Sequence, residues 1–333
     1  MTAALECRVF GRTGLQIAAL GFGCGAVGGL IIRGTPPERE RAVARALELG
    51  VNYFDTAALY GDGQSEINLG KTLKALGASP YVGTKFRLVP EDLGDIRDAV
   101  RRSLEASLQR LGRDSVDLLQ CHNQIEPGRG GRMLGVEDLL GETVAALEDL
   151  KRQGKIRFFG ITARGNTPAL HRALGAGVLD SAQVFYNLLN PSAGQALPAG
   201  FSVPEDFDRL LDRAREHRVG VVGVRALAAG ALSARAERHP LAAPKVEPIA
   251  SGPGYDEDVA RAQRLEALVR EGHVGSLVEA AYRFVVTHPA VTTVLVGASS
   301  LEQLEQAAAA VSRGPLPPVG LDRLRALWVG MAP

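Results

Sequence analysis

The sequence is short of the features that mark several classes of protein. Only three cysteines occur in 333 residues: Cys7, Cys24 and Cys121. They form no CxxC pair and no metal-ligand spacing, so neither a disulfide framework nor a metal site is expected. A reducing, cytoplasmic compartment is the matching expectation. Neither charge is in excess, since 38 basic residues against 37 acidic ones leave a formal +1. A duplex-binding surface carries a basic surplus, so no nucleic-acid partner is expected. No apolar run is long enough to span a membrane, and the run at 219–224 reads as a buried strand. The first eight residues contain Glu6 and no long apolar stretch, which is not the pattern of a signal peptide.

What is present is a globular composition, 46% hydrophobic and 23% charged. The length fits one large barrel or two medium domains. The pattern decides for the barrel. Short β-rich runs fall at 18–23, 51–55, 81–85, 116–122, 156–162, 182–186, 219–225 and 292–297. That is the number of strands a closed (β/α)8 barrel needs. Helical periodicity fills the intervals at 39–49, 96–111, 136–153, 167–174, 205–217, 259–270 and 301–311. The expected fold is one α/β TIM barrel over residues 1–333. Residues 9–15 read as an N-terminal β-hairpin plugging its bottom, and 321–329 as an extra C-terminal helix.

Local punctuation agrees with this layout. Gly50, Gly112, Gly154 and Gly177 follow helices, where a left-handed cap is wanted. Ser65 stands where it can cap the helix containing Ile67, Leu69 and Leu73. Gly23, Gly25 and Gly28 match a bare GxGxxG, but a loop follows rather than a helix, so a doubly wound dinucleotide fold is rejected. Four strand-to-helix joints are long: 25–36, 123–135, 187–204 and 226–256. Such loops share the C-terminal face of a barrel, where active sites lie. The last one reads as a lid.

Polar residues gather where strands end on that face. Asp55 ends the second strand, Lys85 the third and His122 the fourth, with Tyr60 in the loop after Asp55. Strands lie about 4.8 Å apart, so the four side chains can converge. Singly, each suits a turn, a rim or a core position. Together they form an acid–base set. A phenol of pKa ~10 is a poor acid at neutral pH, and a neighbouring ammonium lowers that value. Lys85 supplies the charge and Asp55 holds it. Tyr60 can then exchange a proton with a carbonyl or alcohol oxygen, and His122 can orient that oxygen. Such a set needs a hydride partner, of which nicotinamide is the commonest.

The segment Asn52-Tyr53-Phe54-Asp55-Thr56-Ala57-Ala58-Leu59-Tyr60-Gly61, with Glu66 and Gly70, resembles the aldo-keto reductase signature. Val82-Gly83-Thr84-Lys85 and Asp117-Leu118-Leu119-Gln120-Cys121-His122 are similar to that family's lysine and histidine strands. The resemblance runs from Arg8 to about Val311. It implies a (β/α)8 barrel, NADP or NAD as cofactor, and reversible reduction of an aldehyde, ketone or sugar. It also implies cofactor contacts at Gly23, Cys24 and Asp55 on the nicotinamide side. Thr162 and Gln183 correspond to the pair that holds the carboxamide. Arg225, Ala226, Leu227 and Gly230 fall in the pyrophosphate segment, and Gly297, Ser299, Gln303 and Gln306 at the adenosine end.

Three positions depart from the family pattern. Ala163 stands where asparagine is usual, and Arg225 where many members stack an aromatic ring. The segment carrying Gly297, Ser299 and Gln303 lacks a cation for a 2′-phosphate, leaving NAD open unless a lid residue such as Lys245 compensates. Candidate substrate contacts are Ile31, Tyr60, His122 and Asn123. The overall likeness is to the sugar and pyridoxal dehydrogenase branches. Two other readings remain at this stage. One is a cofactor-binding regulatory protein on the same fold, similar to channel β subunits. The other is a barrel lyase with a Schiff base on Lys85. The oligomeric state is not legible.

Overall fold

The structure is a computed structural model and describes residues 4–331. The expectation about the N-terminus rests partly on residues 1–3, which lie outside the described residues. Strands β1 (Cys7–Val9) and β2 (Gln16–Ala18) form an antiparallel hairpin around a tight turn at Gly11–Thr13. Next come β3 (Leu20–Gly23), β4 (Tyr53–Asp55), β5 (Tyr81–Phe86) and β6 (Val116–Cys121). A minor pair, β7 (Ile125–Glu126) and β8 (Leu134–Gly135), lies in the loop after β6. Then follow β9 (Ile156–Ala163), β10 (Ser181–Phe185), β11 (Gly220–Val224) and β12 (Val291–Val296). Strands β3, β4, β5, β6, β9, β10, β11 and β12 close a parallel barrel. Each expected run overlaps one of them, with ends differing by at most two residues.

The helices are α1 (Leu30–Arg33), α2 (Pro36–Glu48), α3 (Gln64–Ala75), α4 (Ile96–Leu111), α5 (Val136–Asp138), α6 (Val144–Arg152) and α7 (Thr167–Gly175). They continue with α8 (Leu210–Glu216), α9 (Tyr255–Arg264), α10 (Ala267–Arg270), α11 (Leu277–Thr287), α12 (Leu301–Ser312) and α13 (Pro318–Val329). Their ends follow the local chemistry. Asp95 caps α4 by accepting from the Asp98 N–H at 3.1 Å, and Gly112 closes it at φ 63°. Gly50, Gly154 and Gly177 also take positive φ, as expected. Among the described residues, no helix is long and apolar enough to cross a membrane.

Several expectations need correction. Helix α11 was not anticipated. Its spacing is nonetheless that of an amphipathic helix, with Leu277, Ala280, Ala281, Phe284 and Val285 buried at i, i+3, i+4, i+7 and i+8. Helix α8 begins at Leu210 rather than 205, because Asp208 and Arg209 are left-handed at φ 44° and 56°. The segment 259–270 is two helices, α9 and α10, and the first starts at Tyr255. Ser65 does not cap α3, which begins after Gly63. Ser65 is buried instead, donating to the Cys24 carbonyl at 2.9 Å and sharing a 2.8 Å hydrogen bond with Thr56.

The hairpin closes the bottom of the barrel. Phe10, Leu15 and Ile17 pack beneath Tyr53, Leu118 and Val222 in an interior apolar cluster. A Cβ on Gly11 would sit 2.2 Å from the Gly220 nitrogen, so the turn can approach only as glycine. The cluster also fixes parity. Successive side chains alternate across a strand, so Tyr53 and Asp55 share the inward face, as do Leu118, Gln120 and His122. The interior thus passes from oily at the hairpin to polar at the mouth. The lid segment 226–256 crosses that mouth. The Ala243 N–H donates to Val27 at 3.0 Å, and Arg33 donates to the Leu241 carbonyl at 2.7 Å.

Candidate active site

The four polar residues at the strand ends meet. Lys85 donates from Nζ to Asp55 Oδ2 at 2.5 Å and to the Thr56 carbonyl at 2.8 Å. Its ammonium also stands 4.7 Å from the centre of the Tyr60 ring. Tyr60 and His122 meet edge to face with centroids 5.9 Å apart. Asp55 Oδ1 accepts from Gln183 Nε2 at 2.6 Å and from the Tyr53 hydroxyl at 3.1 Å. Asp55 and Lys85 are almost fully buried, so their pairing is shielded from water. Tyr53 was missed as part of this network, although its place two residues before Asp55 is the signal that both face the axis.

The charges settle as follows. Burial opposes the Lys85 ammonium, but Asp55 and then Tyr60 outweigh it and hold its pKa above the usual range. An amine so held is a poor nucleophile, which counts against a Schiff base. Burial also drives His122 down to about 3, helped by Lys85, Arg87 and Arg164, so its ring is neutral. Its Nδ1 is buried without a partner, leaving the other ring nitrogen to meet a ligand. For Tyr60 the expected sign is corrected. Lys85 does pull the phenol down, but burial is the larger effect and Asp55 adds to it, so the pKa is raised. Tyr60 is a phenol at neutral pH, a donor rather than a ready base.

Asp55, Tyr60, His122 and Gln183 line a cavity of about 970 Å³ under the lid. Of the expected cofactor residues, Gly23, Asp55, Thr162 and Gln183 line its inner part together with Tyr60 and His122. Thr162 donates to Gln183 Oε1 at 3.3 Å. Arg225, Ala226, Leu227 and Gly230 line the wall, and Gly297, Ser299, Gln303 and Gln306 the outer part. Lys85 lies beneath this lining.

Three expected contacts are not brought to the cavity. Cys24 follows Gly23 with opposite parity and packs in the outer core, where burial first and Asp55 second push its thiol far up. Ile31 is buried on α1 within the same core. Asn123 spends its amide on backbone, accepting from the Leu88 N–H at 2.9 Å and donating to the Leu88 carbonyl at 2.8 Å. Lys245 does not line the cavity either, whereas Arg235, Arg238 and His239 of the lid do. Sequence spacing gave no sign of these three, because lid loops have no period.

The cavity suits an extended dinucleotide. A Cβ on Gly297 would make only ordinary contact, with the Gly28 nitrogen at 3.9 Å. The wall after β11 is left-handed at Arg225, Ala228, Ala229 and Gly230. Non-glycine residues held at positive φ cost energy and gather where a ligand is cradled. Small side chains there leave the backbone open to phosphate. Among the described residues no cluster could hold a metal ion.

A closed parallel barrel with this polar mouth defines an oxidoreductase class, and the sequence model of the Aldo/keto reductase family matches residues 19–329: the chain belongs to that family. It is 32% identical over 327 residues to the L-galactose dehydrogenase of Arabidopsis thaliana, covering 96% of this chain and 91% of that protein. It is 28% identical to the pyridoxal 4-dehydrogenase of Microbacterium luteolum, with 91% and 92% covered. Among solved structures it resembles the holo form of an aldo-keto reductase from Bacillus halodurans, with TM-score 0.70, 26% identity, and 97% and 96% of the chains covered.

Proposed function

We propose that the protein is an NAD(P)-dependent oxidoreductase that interconverts an aldehyde, ketone or sugar hemiacetal with its alcohol or oxidised counterpart. One observation carries this reading: Asp55, Lys85, Tyr60 and His122 share one buried constellation, three of them on the floor of the roofed cavity. Bound nicotinamide would supply or accept the hydride. The rest falls to the chain's own residues.

Tyr60 donates its proton to the carbonyl oxygen during reduction and takes it back during oxidation. Lys85 stabilises the phenolate left behind, and Asp55 keeps Lys85 charged and fixed. Neutral His122 donates a hydrogen bond to the same oxygen from its free nitrogen, orienting the carbonyl and easing developing negative charge. Thr162 and Gln183 would hold the carboxamide, while small residues from Ala226 to Gly230 and the segment from Gly297 to Gln306 would take the phosphates and adenosine. Arg235 on the lid offers a cation for a 2′-phosphate, so NADP and NAD both fit the chemistry of the donors.

The test is direct. Consumption of the reduced-nicotinamide absorbance is followed with NADH and NADPH against aldehydes, ketones and sugars, and the reverse reaction against alcohols. Turnover that is lost in Tyr60→Phe while cofactor binding survives supports the reading. Cofactor binding with no turnover across the panel would leave a binding protein in its place.

A further inference from the structure

The tetrad leaves unexplained three arginines that stand beside it. We propose that the substrate of this site carries an anionic group, a carboxylate or a phosphate, which Arg87, Arg164 and Arg225 bind at the barrel mouth. This rests on the reading of the cavity as a hydride-transfer site.

Register places two of them. Strands β5, β6 and β9 are neighbours, with Phe86 paired to Cys121 and Cys121 to Ile161. Alternation then puts Lys85, Gln120 and Thr162 on the inward face, and Arg87, His122 and Arg164 follow just past the ends of the same three strands. Arg87 and Arg164 flank His122 closely enough for their charges to act on its ring, and they stand just behind the cavity lining, which includes neither. Backbone bonds hold them there, from the His122 N–H to Phe86 at 2.9 Å and from the Ile125 N–H to Arg164 at 2.8 Å. Arg225 comes from the cavity wall, lining it with Tyr60 and His122. Its left-handed backbone, φ 59°, is secured by the Asn187 amide at 3.1 Å.

None of the three forms an ion pair among the described residues, in contrast to Arg110, which meets buried Glu66 at 2.6 Å. The buried Nε of Arg87 has no partner, and Arg225 donates only to the Glu247 carbonyl, at 3.2 Å. Glu205 feels the charge of Arg164 but lies beyond ion-pair distance. Arg164 and Arg225 repel one another, and Glu205 and Glu247, neither within ion-pair distance of them, offset that charge only in part in a low dielectric. A carboxylate or phosphate would relieve that repulsion, and its oxygens match the fork of donors that arginine presents.

Matched substrates test this on the intact enzyme saturated with cofactor. Succinic semialdehyde is compared with butanal, and glyceraldehyde phosphate with glyceraldehyde. The two pairs separate carboxylate from phosphate. We expect kcat/KM to favour the charged member of at least one pair by about tenfold or more, and the ratio to shrink as salt rises. Arg87→Met and Arg164→Met should each cut the ratio severalfold, while Arg87→Lys restores part of it. Equal rates within both pairs, or a ratio that survives both methionine substitutions, overturns the proposal. Calorimetry with succinate against succinamide reads the same site without turnover. Binding of succinate alone, lost in the doubly substituted protein, supports the proposal; binding of neither ligand overturns it. Succinate binding together with no reduction of any aldehyde would instead sink the hydride-transfer reading and leave the anion site standing.

Discussion

Gln183 Nε2 donates to Asp55 Oδ1 at 2.6 Å, joining β10 to β4 across the barrel mouth. The path from β4 through β5, β6 and β9 to β10 is four steps around an eight-stranded ring, so the bond spans the full width. One side chain thereby ties the proposed carboxamide site to the Asp55 carboxylate. In Gln183→Leu, Asp55 Oδ1 keeps only Tyr53, and the Thr162 hydroxyl loses its acceptor. The cofactor Kd should rise by about tenfold. Titration of reduced-nicotinamide fluorescence measures it, and an unchanged Kd would contradict the coupling.

Tyr60→Phe removes the only proposed proton donor and little volume. We expect kcat to fall by about 10²- to 10⁴-fold, with the cofactor Kd nearly unmoved. Steady-state rates and a binding titration on the same preparation separate the two effects. Turnover near the original rate would remove Tyr60 from the mechanism.

The pH profile follows from two opposite shifts. Lowering pH protonates His122 only near its depressed value of about 3. Raising pH ionises Tyr60 only above its ordinary 10.0. Reduction uses neutral His122 and protonated Tyr60, so its kcat/KM should be level through neutrality. Oxidation needs Tyr60 to accept a proton and should climb toward alkaline pH. A reductive limb that titrates near neutrality would reassign the acid.

Asp55→Asn strips the counter-charge from a lysine that is 1% exposed. Leaving a buried ammonium unpaired costs about 3–5 kcal/mol. Denaturant unfolding should show that loss. The combined Asp55→Asn, Lys85→Met protein should lose less than the sum of the two single changes, because the charges are then removed together.

Phe10→Ala tests the far end. The ring is fully buried under the barrel, so truncation should cost about 3–5 kcal/mol. The mouth lies at the opposite pole, and KM should not move. A changed KM with little loss of stability would mean that the hairpin reaches the site.

The sequence showed most clearly what repeats. Barrel strands are brief apolar runs, and a polar residue at the mouth end of one is easily seen, so Asp55, Lys85 and His122 on three successive strands stood out together. What depends on magnitude or on distant partners did not. Ser65 has the chemistry of a cap, yet the Cys24 carbonyl, 41 positions away in sequence, claims its hydroxyl. Gly23 and Cys24 look equally placed until strand parity assigns only the first to the cavity. Asn123 looks like a sugar ligand, but the Leu88 backbone has already taken its amide. The sign of the Tyr60 shift turned on burial outweighing a nearby ammonium, which no spacing reveals.

The hairpin under the barrel makes the chamber a cul-de-sac. With Phe10 as its stopper, the base offers no passage, so whatever reaches Asp55, Tyr60 and His122 must arrive past the lid.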